Sequence, residues 1–135
     1  MEETAPVKVY MTKKLVGVSP EDTVQEACKI MVKFDIGSLV VVEDDRVIGF
    51  FTKSDIIRRV IVPGLSYTTP VKEIMSRNLI TTDANTPLRE VLKIMAHHRI
   101  KHVLIEEEGK IVGIFTLSDL LEATRRKLET SISTE

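Results

Sequence analysis

The sequence predicts an α/β (α+β) fold built from two tandem copies of one β-α-β-β-α unit. Shifting the chain against itself by the interval between Gly49 and Gly113 aligns residues from Val7 to about Ile57 without a gap. The identical pairs are densest at the end of this alignment: Phe51/Phe115, Thr52/Thr116, Ser54/Ser118 and Asp55/Asp119. A gapless match of this length indicates a duplication. Hydrophobic residues make up 43% of the 135 positions, so the chain can bury a core.

Each copy contains the same series of predicted elements. A short apolar strand, Leu15–Val18 or Leu79–Thr81, precedes a helix with apolar residues at i, i+3, i+4 and i+7. Thr86 followed by Pro87 predicts a threonine cap and a proline in the first turn of the second of these helices. Two β-rich runs joined by a polar turn come next, and a final helix closes the copy. These segments are Ser38–Val42, Val47–Thr52 and Ser54–Val60 in the first copy, and His102–Ile105, Ile111–Thr116 and Ser118–Leu128 in the second.

The duplication also sets the expected domain boundaries. Residues 1–62 form the first repeat, residues 63–70 a linker bounded by Pro63 and Pro70, residues 71–128 the second repeat and residues 129–135 a frayed tail. One copy is too small to cover both faces of its own sheet. We therefore expect the two repeats to pack face to face with pseudo-twofold symmetry and to share a cleft.

Composition excludes several classes of protein. The 19 Lys+Arg and 20 Asp+Glu residues balance to a formal charge of −1, which argues against a generally basic nucleic-acid binder. Cys28 is the only cysteine, so an internal disulfide and a cysteine-based zinc cluster are excluded. The apolar runs are of strand length, too short to cross a bilayer, and the N-terminus lacks a signal-peptide pattern. We therefore expect a cytoplasmic protein with no membrane partner. We also expect no metal site, because the three histidines lack the spacing of metal ligands.

A seven-residue motif ends the strand pair of each copy. Gly49-Phe50-Phe51-Thr52-Lys53-Ser54-Asp55 recurs as Gly113-Ile114-Phe115-Thr116-Leu117-Ser118-Asp119. The threonine falls at a helix N-terminus, where free amides and a partial positive charge favour a phosphate oxygen. The aspartate is placed to accept the two hydroxyls of a ribose, and phosphate plus ribose implies a nucleotide. The same Thr-x-x-Asp spacing is typical of a helix capping box that binds nothing, and both interpretations stay open here.

The repeat and its closing Gly-h-h-Thr-x-Ser-Asp motif (h, hydrophobic) resemble the cystathionine-β-synthase (CBS) domain pair, or Bateman module, from about Val7 to Arg126. The resemblance implies regulatory binding of AMP, ADP or ATP in the cleft between the repeats, with S-adenosylmethionine and NAD as alternative ligands. It implies ribose contacts from Asp55 and Asp119. It further implies ribose or phosphate contacts from Thr52, Ser54, Thr116 and Ser118, base contacts from Phe50 and Ile114, and adenine contacts from the backbone near Val16 and Ile80.

The start of the first hairpin strand is a third contact point that the resemblance implies, and the copies differ there. Gly37 and Ser38 bring no charge in the first copy, whereas Lys101 and His102 are cationic or titratable in the second. We therefore expect two unequal sites, with the stronger phosphate binding in the pocket of Asp119, which lies in the same copy as Lys101. For His102, the alternative is a contact with the pocket of Asp55.

No catalytic residue and no required cofactor is predicted, because the sequence has no base–nucleophile pair, metal set or Walker-type loop. We expect a homodimer that relays the level of an adenosine nucleotide to an unidentified effector protein. A structural dimerisation module with vestigial pockets is the alternative from another class, and a nucleotide-hydrolysing enzyme is the third.

Overall fold

The computed structural model describes residues 2–133 and contains two three-stranded sheets of identical order. In each sheet a short strand runs parallel to the first strand of an antiparallel hairpin. This arrangement confirms the mixed α/β class and the duplicated β-α-β-β-α order. The strands are β1 (Gly17–Val18), β2 (Ser38–Glu43), β3 (Arg46–Thr52), β4 (Thr81–Asp83), β5 (His102–Glu107) and β6 (Lys110–Thr116). The helices are α1 (Val24–Phe34), α2 (Lys53–Ile56), α3 (Leu88–His98) and α4 (Leu117–Ser133), and 3₁₀ turns cover Val7–Val9 and Val71–Glu73.

The hairpins are longer than the sequence predicts, because each turn uses only two residues. Asp44 and Asp45 have φ of 51° and 62°, and Glu108 and Gly109 have φ of 52° and 78°. Two-residue turns with positive φ twist in the sense that matches the flanking strands. The register they set pairs Ser38 with Thr52 in one hairpin and His102 with Thr116 in the other. Each motif threonine therefore lies beside the first residue of the preceding strand.

The helices begin differently in the two repeats. Thr23 caps α1, since its side chain accepts a hydrogen bond from the amide of Glu26 at 3.1 Å. Pro87 occupies the equivalent position before α3, and no side chain caps that helix. The expectation that Thr86 caps α3 is therefore wrong. Thr86 lies one position too early, and its hydroxyl pairs with that of Thr82 at 3.0 Å.

The final helix of each repeat departs from a regular α-helix or from its predicted length. After α2 the chain continues as a π-helical turn over Ile57–Ile61. Helix α4 continues past Leu128 to Ser133. Residues 134 and 135, the end of the expected frayed tail, lie outside the described residues. None of the described helices is both long and apolar enough to span a membrane.

The chain divides into two compact units whose limits differ from the repeat limits. One is continuous, Leu15–Leu79, and the other, here called the split unit, joins the chain start up to Lys14 with the segment from Ile80 onward. Each unit has its own apolar core around one sheet and one long helix. The first residues of each repeat, 7–12 and 71–76, are here called its leading segment. Each unit takes its 3₁₀ turn from the leading segment of the other repeat, so that Val7 is buried in the split unit and Val71 in the continuous unit.

The leading segments end beside the motif strands. The amide of Thr12 donates to the carbonyl of Ile114 at 2.8 Å, and the amide of Ile114 donates back at 3.0 Å. Phe50 and Ser76 make the equivalent pair in the continuous unit, at 3.0 and 2.7 Å. These bridges place a hydroxyl residue, Thr12 or Ser76, next to each motif.

Candidate functional site

Both motif aspartates close a capping box. The Oδ2 atom of Asp55 accepts from the backbone amide of Thr52 at 2.9 Å and from its hydroxyl at 3.2 Å, while the amide of Asp55 donates to the Thr52 hydroxyl. Thr116 and Asp119 repeat this geometry, with 2.8 Å from the Thr116 amide to Oδ2. The capping role foreseen from the Thr-x-x-Asp spacing is thus real in both copies. It uses only one oxygen of each carboxylate.

The cradle of free amides expected at these helix starts is largely occupied. The amide of Lys53 donates to the carbonyl of Gly37 at 3.0 Å, and that of Leu117 donates to the carbonyl of Lys101 at 3.1 Å. Together with the capping box, these bonds engage three of the first backbone amides at each motif. A ligand at this place therefore depends on side chains more than on the helix terminus.

The second oxygen of Asp55 faces two arginines. Its Oδ1 atom lies 3.7 Å from a guanidinium nitrogen of Arg58 and 3.8 Å from Nε of Arg59. Another nitrogen of Arg59 donates to the carbonyl of Ile74 at 2.9 Å, which fixes that guanidinium against the second leading segment. Asp55 is only 7% exposed and is the one polar residue among the buried residues that the structure describes. Two cations therefore balance a buried negative charge.

The second oxygen of Asp119 has a neutral partner instead. The hydroxyl of Thr12 donates to Oδ1 of Asp119 at 2.7 Å. Across the described residues no hydrogen bond joins Ser76, the counterpart of Thr12, to Asp55. The sequence reasoning missed Thr12. The aligned hydroxyls of Thr12 and Ser76 were the available signal, but only the fold shows that each lies in the same unit as the other repeat's motif.

The residues that follow the two aspartates carry opposite charge. Glu122 stands at the position in α4 that corresponds to Arg58. It accepts from Arg125 at 2.7 Å and from Arg126 at 3.2 Å. The hydrogen bond from Arg125 is the main reason why the pKa of Glu122 is below its ordinary value, and Glu122 is therefore charged at neutral pH.

The other residues singled out from the sequence are distributed over both units. Phe50 and Ile114 are buried in their strands, and Ser54, Ser118 and Lys101 are exposed. The carbonyls of Val16 and Ile80 accept sheet hydrogen bonds at 3.1 and 3.0 Å, so this part of the backbone is already paired. The continuous unit holds Val16, Ser38, Phe50, Thr52, Ser54 and Asp55, and the split unit holds Ile80, Lys101, His102, Ile114, Thr116, Ser118 and Asp119.

The first residue of each motif is glycine for a steric reason. A Cβ atom on Gly49 would lie 2.2 Å from Sδ of Met75, and one on Gly113 would lie 2.6 Å from Sδ of Met11. The two methionines belong to the leading segments. The glycines therefore allow these segments, with Thr12 and Ser76 at their ends, to lie against the motif strands.

A separate apolar groove of about 390 Å³ lies in the continuous unit, and none of the motif hydroxyls lines it. Burial raises the pKa of the Cys28 thiol there, which disfavours the reactive thiolate. Its lining residues are Cys28, Met31, Val32, Asp35, Lys53, Ile56 and Ile57. In the part of the chain that the structure describes, no group of three His, Cys, Asp or Glu residues is arranged to hold a metal ion.

Comparison with known proteins connects this geometry to one family. The family model described as "CBS domain" matches residues 7–62 and again 71–126. A CBS domain-containing protein of Bacillus subtilis, YhcV, is 37% identical over 114 residues, which are 84% of this chain and 81% of that protein.

Two solved structures show the same fold. An uncharacterized conserved protein from Pyrococcus horikoshii is 72% identical and superposes with a TM-score of 0.89, covering 93% of this chain and 96% of that one. The CBS domain pair of protein MJ0100, solved in complex with 5′-methylthioadenosine and S-adenosyl-L-methionine, is 26% identical with a TM-score of 0.79, covering 92% and 98%.

Proposed function

The chain belongs to the CBS-domain family, and on this premise we propose that it senses adenosine nucleotides, AMP, ADP or ATP, at Asp55 and Asp119. CBS pairs are regulatory ligand-binding modules, and the relative YhcV is itself described as a CBS domain-containing protein. The observation that carries the proposal is that the two oxygens of each carboxylate have different partners. Oδ2 holds the capping box, while Oδ1 faces polar groups outside it.

A ribose diol suits this arrangement chemically. Its two hydroxyls are donors, and a carboxylate oxygen is a strong acceptor with more than one lone pair. Oδ1 of Asp55 has cations near it but at 3.7–3.8 Å, longer than a hydrogen bond. Oδ1 of Asp119 accepts one hydrogen bond from Thr12 and keeps capacity for another. Both oxygens are therefore able to accept from a ribose without opening the capping box.

Adenosine ligands that lack a phosphate are a second candidate class. The supporting observation is the MJ0100 structure, whose two ligands are 5′-methylthioadenosine and S-adenosyl-L-methionine. Both share the adenosine portion with AMP, so the same carboxylates would serve them. NAD is a further alternative, which carries the same adenosine portion but joins it to a diphosphate.

The proposal includes a homodimer and an unidentified effector protein that reads the ligand state. Exposed apolar side chains on the helices of the continuous unit support a protein interface. A purely structural dimerisation module with vestigial pockets remains the competing function.

Calorimetric titration with AMP, ADP, ATP, S-adenosylmethionine and NAD tests the proposal. We expect Asp55→Asn and Asp119→Asn each to weaken binding at its own site by about 1.5–3 kcal/mol, the scale of a hydrogen bond to a charged group. Asp22→Asn is the matched control, because Asp22 also accepts a backbone amide, from Ser19 at 2.8 Å, but lies outside the motif. If the wild-type protein binds no member of the panel, the structural dimerisation module is the better description.

A further inference from the structure

The two motif carboxylates have partners of different charge. The Asp55 carboxylate stands within 3.8 Å of both Arg58 and Arg59, so one negative charge faces two positive ones. The side chain of Arg58 is 71% exposed, and its contact with Asp55 at 3.7 Å is an ion pair without a hydrogen bond. The N–H groups of this guanidinium therefore remain available to an incoming anion.

Among the side chains that the structure describes, the Asp119 carboxylate forms no salt bridge, and its partners are Thr12 and Thr116. Its Oδ1 atom accepts from the neutral hydroxyl of Thr12. One helical turn later the chain presents Glu122, whose charge is shared between Arg125 and Arg126. Among the described residues, no salt bridge joins Lys101 to Asp119 or to Glu122, although Lys101 was the cation expected to strengthen this site.

We propose that the two sites sort adenosine ligands by charge. The Asp55 site takes ligands with a 5′-phosphate, and the Asp119 site takes neutral or cationic ligands that lack one. This inference rests on the proposed function, because it assumes that both carboxylates bind ribose. It reverses the expectation from the hairpin residues, in which Lys101 made the Asp119 pocket the stronger phosphate site.

For electrostatic reasons we expect Arg58 and Arg59 to contribute more to phosphate binding than Lys101 does. A phosphate carries a charge between −1 and −2 near neutral pH, and guanidinium groups bind it through paired hydrogen bonds. When a ribose occupies Oδ1 of Asp55, the two arginines exchange part of their carboxylate contact for the phosphate. At Asp119 the equivalent helix position holds Glu122, whose charge is already balanced by Arg125 and Arg126, so the same phosphate gains no comparable cation there.

AMP and adenosine form the probe pair, because they differ only in the phosphate. We would measure the ratio of their affinities by calorimetry in Asp119→Asn, where only the Asp55 site is intact, and in Asp55→Asn, where only the Asp119 site is intact. We expect AMP to be favoured by about tenfold or more at the Asp55 site and not favoured at the Asp119 site.

Charge reversal provides the decisive variants. Arg58→Glu in the Asp119→Asn background should reduce the preference for AMP by about three- to tenfold, and Glu122→Arg in the Asp55→Asn background should create one. Arg46→Glu and Glu107→Arg are the matched controls. They change the net charge by the same amount, but they lie at the ends of β3 and β5 that are remote from the motif threonines. If a double variant does not fold by circular dichroism, Arg58→Glu and Glu122→Arg in the otherwise wild-type chain give the same comparison through a two-site titration.

Each outcome decides between distinct ideas. A wild-type protein that binds neither AMP nor adenosine overturns the proposed function and this inference with it. Binding with the same AMP-to-adenosine ratio at both sites overturns the charge sorting alone. A higher ratio at the Asp119 site also overturns it and supports the original expectation that Lys101 binds the phosphate there.

Discussion

At the residue scale, Asp55 and Asp119 combine a structural and a chemical role in one side chain. Oδ2 of each carboxylate closes a capping box, and a cap of this kind stabilises a helix by about 1 kcal/mol. Oδ1 is the atom left for a ligand or for Thr12. Capping and ligand binding are therefore compatible at these residues, although the Thr-x-x-Asp spacing presents them as alternatives. A variant that removes the whole carboxylate tests both roles at once, whereas asparagine keeps a capping oxygen.

The Thr12 hydroxyl gives a stability prediction. Thr12→Val keeps the shape of the side chain but removes the 2.7 Å hydrogen bond to Asp119, and hydrogen bonds to charged groups contribute about 1.5–3 kcal/mol. We expect the free energy of unfolding, from urea titration followed by circular dichroism, to fall by about 1–2 kcal/mol. Thr12→Ser should keep most of the stability. Ser76→Ala is the matched control, and an equal loss in Thr12→Val and Ser76→Ala would contradict the prediction.

Sequence reasoning identified the motif residues but not the partners of their second oxygens. Thr52 with Asp55, and Thr116 with Asp119, are three positions apart, so their contact follows from local helix geometry. Thr12 and Asp119 are separated by 107 positions, and their contact depends on which unit receives the leading segment. Arg58 and Arg59 fall at the end of the predicted helix, where cations complement the helix dipole, and either one reaching a phosphate is the alternative that the sequence offers. Their ion pairs with Asp55 follow the i,i+3 and i,i+4 spacing of a helix, so this signal was present in the sequence and was not used.

At the element scale, the leading segments show what a duplicated pattern leaves undetermined. The helical periodicity and the β-rich runs located the strands and the helix starts to within two residues, whereas α4 ends at Ser133 and not at Leu128. The pattern does not state which core receives Val7 and which receives Val71, because the two leading segments share the same apolar spacing, with valine and methionine at matching positions. Only the tertiary contacts show that each turn enters the core built by the other repeat. Pro87 gave a similar false signal. It suggested that Thr86 caps a helix starting at Pro87, whereas α3 starts at Leu88 and Pro87 occupies the cap position.

The motif glycines give the prediction that belongs to this scale. Gly113→Ala would place Cβ 2.6 Å from Sδ of Met11 and 2.9 Å from the Thr12 carbonyl, which is backbone and hydrogen-bonded to Ile114. In Gly49→Ala the three nearest atoms all belong to the flexible side chain of Met75. Overpacking typically costs about 1–3 kcal/mol, and we expect the Gly113 variant to lose more stability.

The same measurement includes a rescue. Shortening the methionine to alanine should recover part of the stability that each glycine variant loses. We expect Met75→Ala to recover more of the loss in Gly49→Ala than Met11→Ala recovers in Gly113→Ala, because the clash at Gly113 also involves the backbone of Thr12. Each double variant is compared with its methionine single variant by thermal unfolding, so that the cost of the lost methionine is subtracted. Equal recovery in both pairs would show that the Thr12 carbonyl is able to shift, contrary to the prediction.

At the scale of the whole molecule, the exposed apolar side chains on the helices of the continuous unit are the feature that one chain alone leaves unexplained. Val32 is 82% exposed, Ile57 is 56% exposed and Ile61 is 66% exposed. Val32 and Ile57 also line the groove that runs past Cys28. We call these three residues the helix patch. In the split unit Leu121, the counterpart of Ile57, is 69% exposed, so both repeats present apolar helix residues to solvent. Such clusters commonly mark protein interfaces.

A homodimer that covers the helix patch is the expected assembly. Val32→Asp places a charge among apolar side chains of the interface without touching a core, because Val32 is almost fully exposed. We expect this change to weaken dimerisation by about 1–3 kcal/mol while leaving the thermal unfolding of the monomer nearly unchanged. Light scattering coupled to size exclusion, over a range of micromolar concentrations, measures the mass. Val9→Asp is the matched control, since Val9 is also exposed, at 63%, but lies outside the helix patch on the first 3₁₀ turn. A monomeric wild-type chain, or a Val32→Asp variant that dimerises as tightly as Val9→Asp, would show that some other surface, or none, joins two copies.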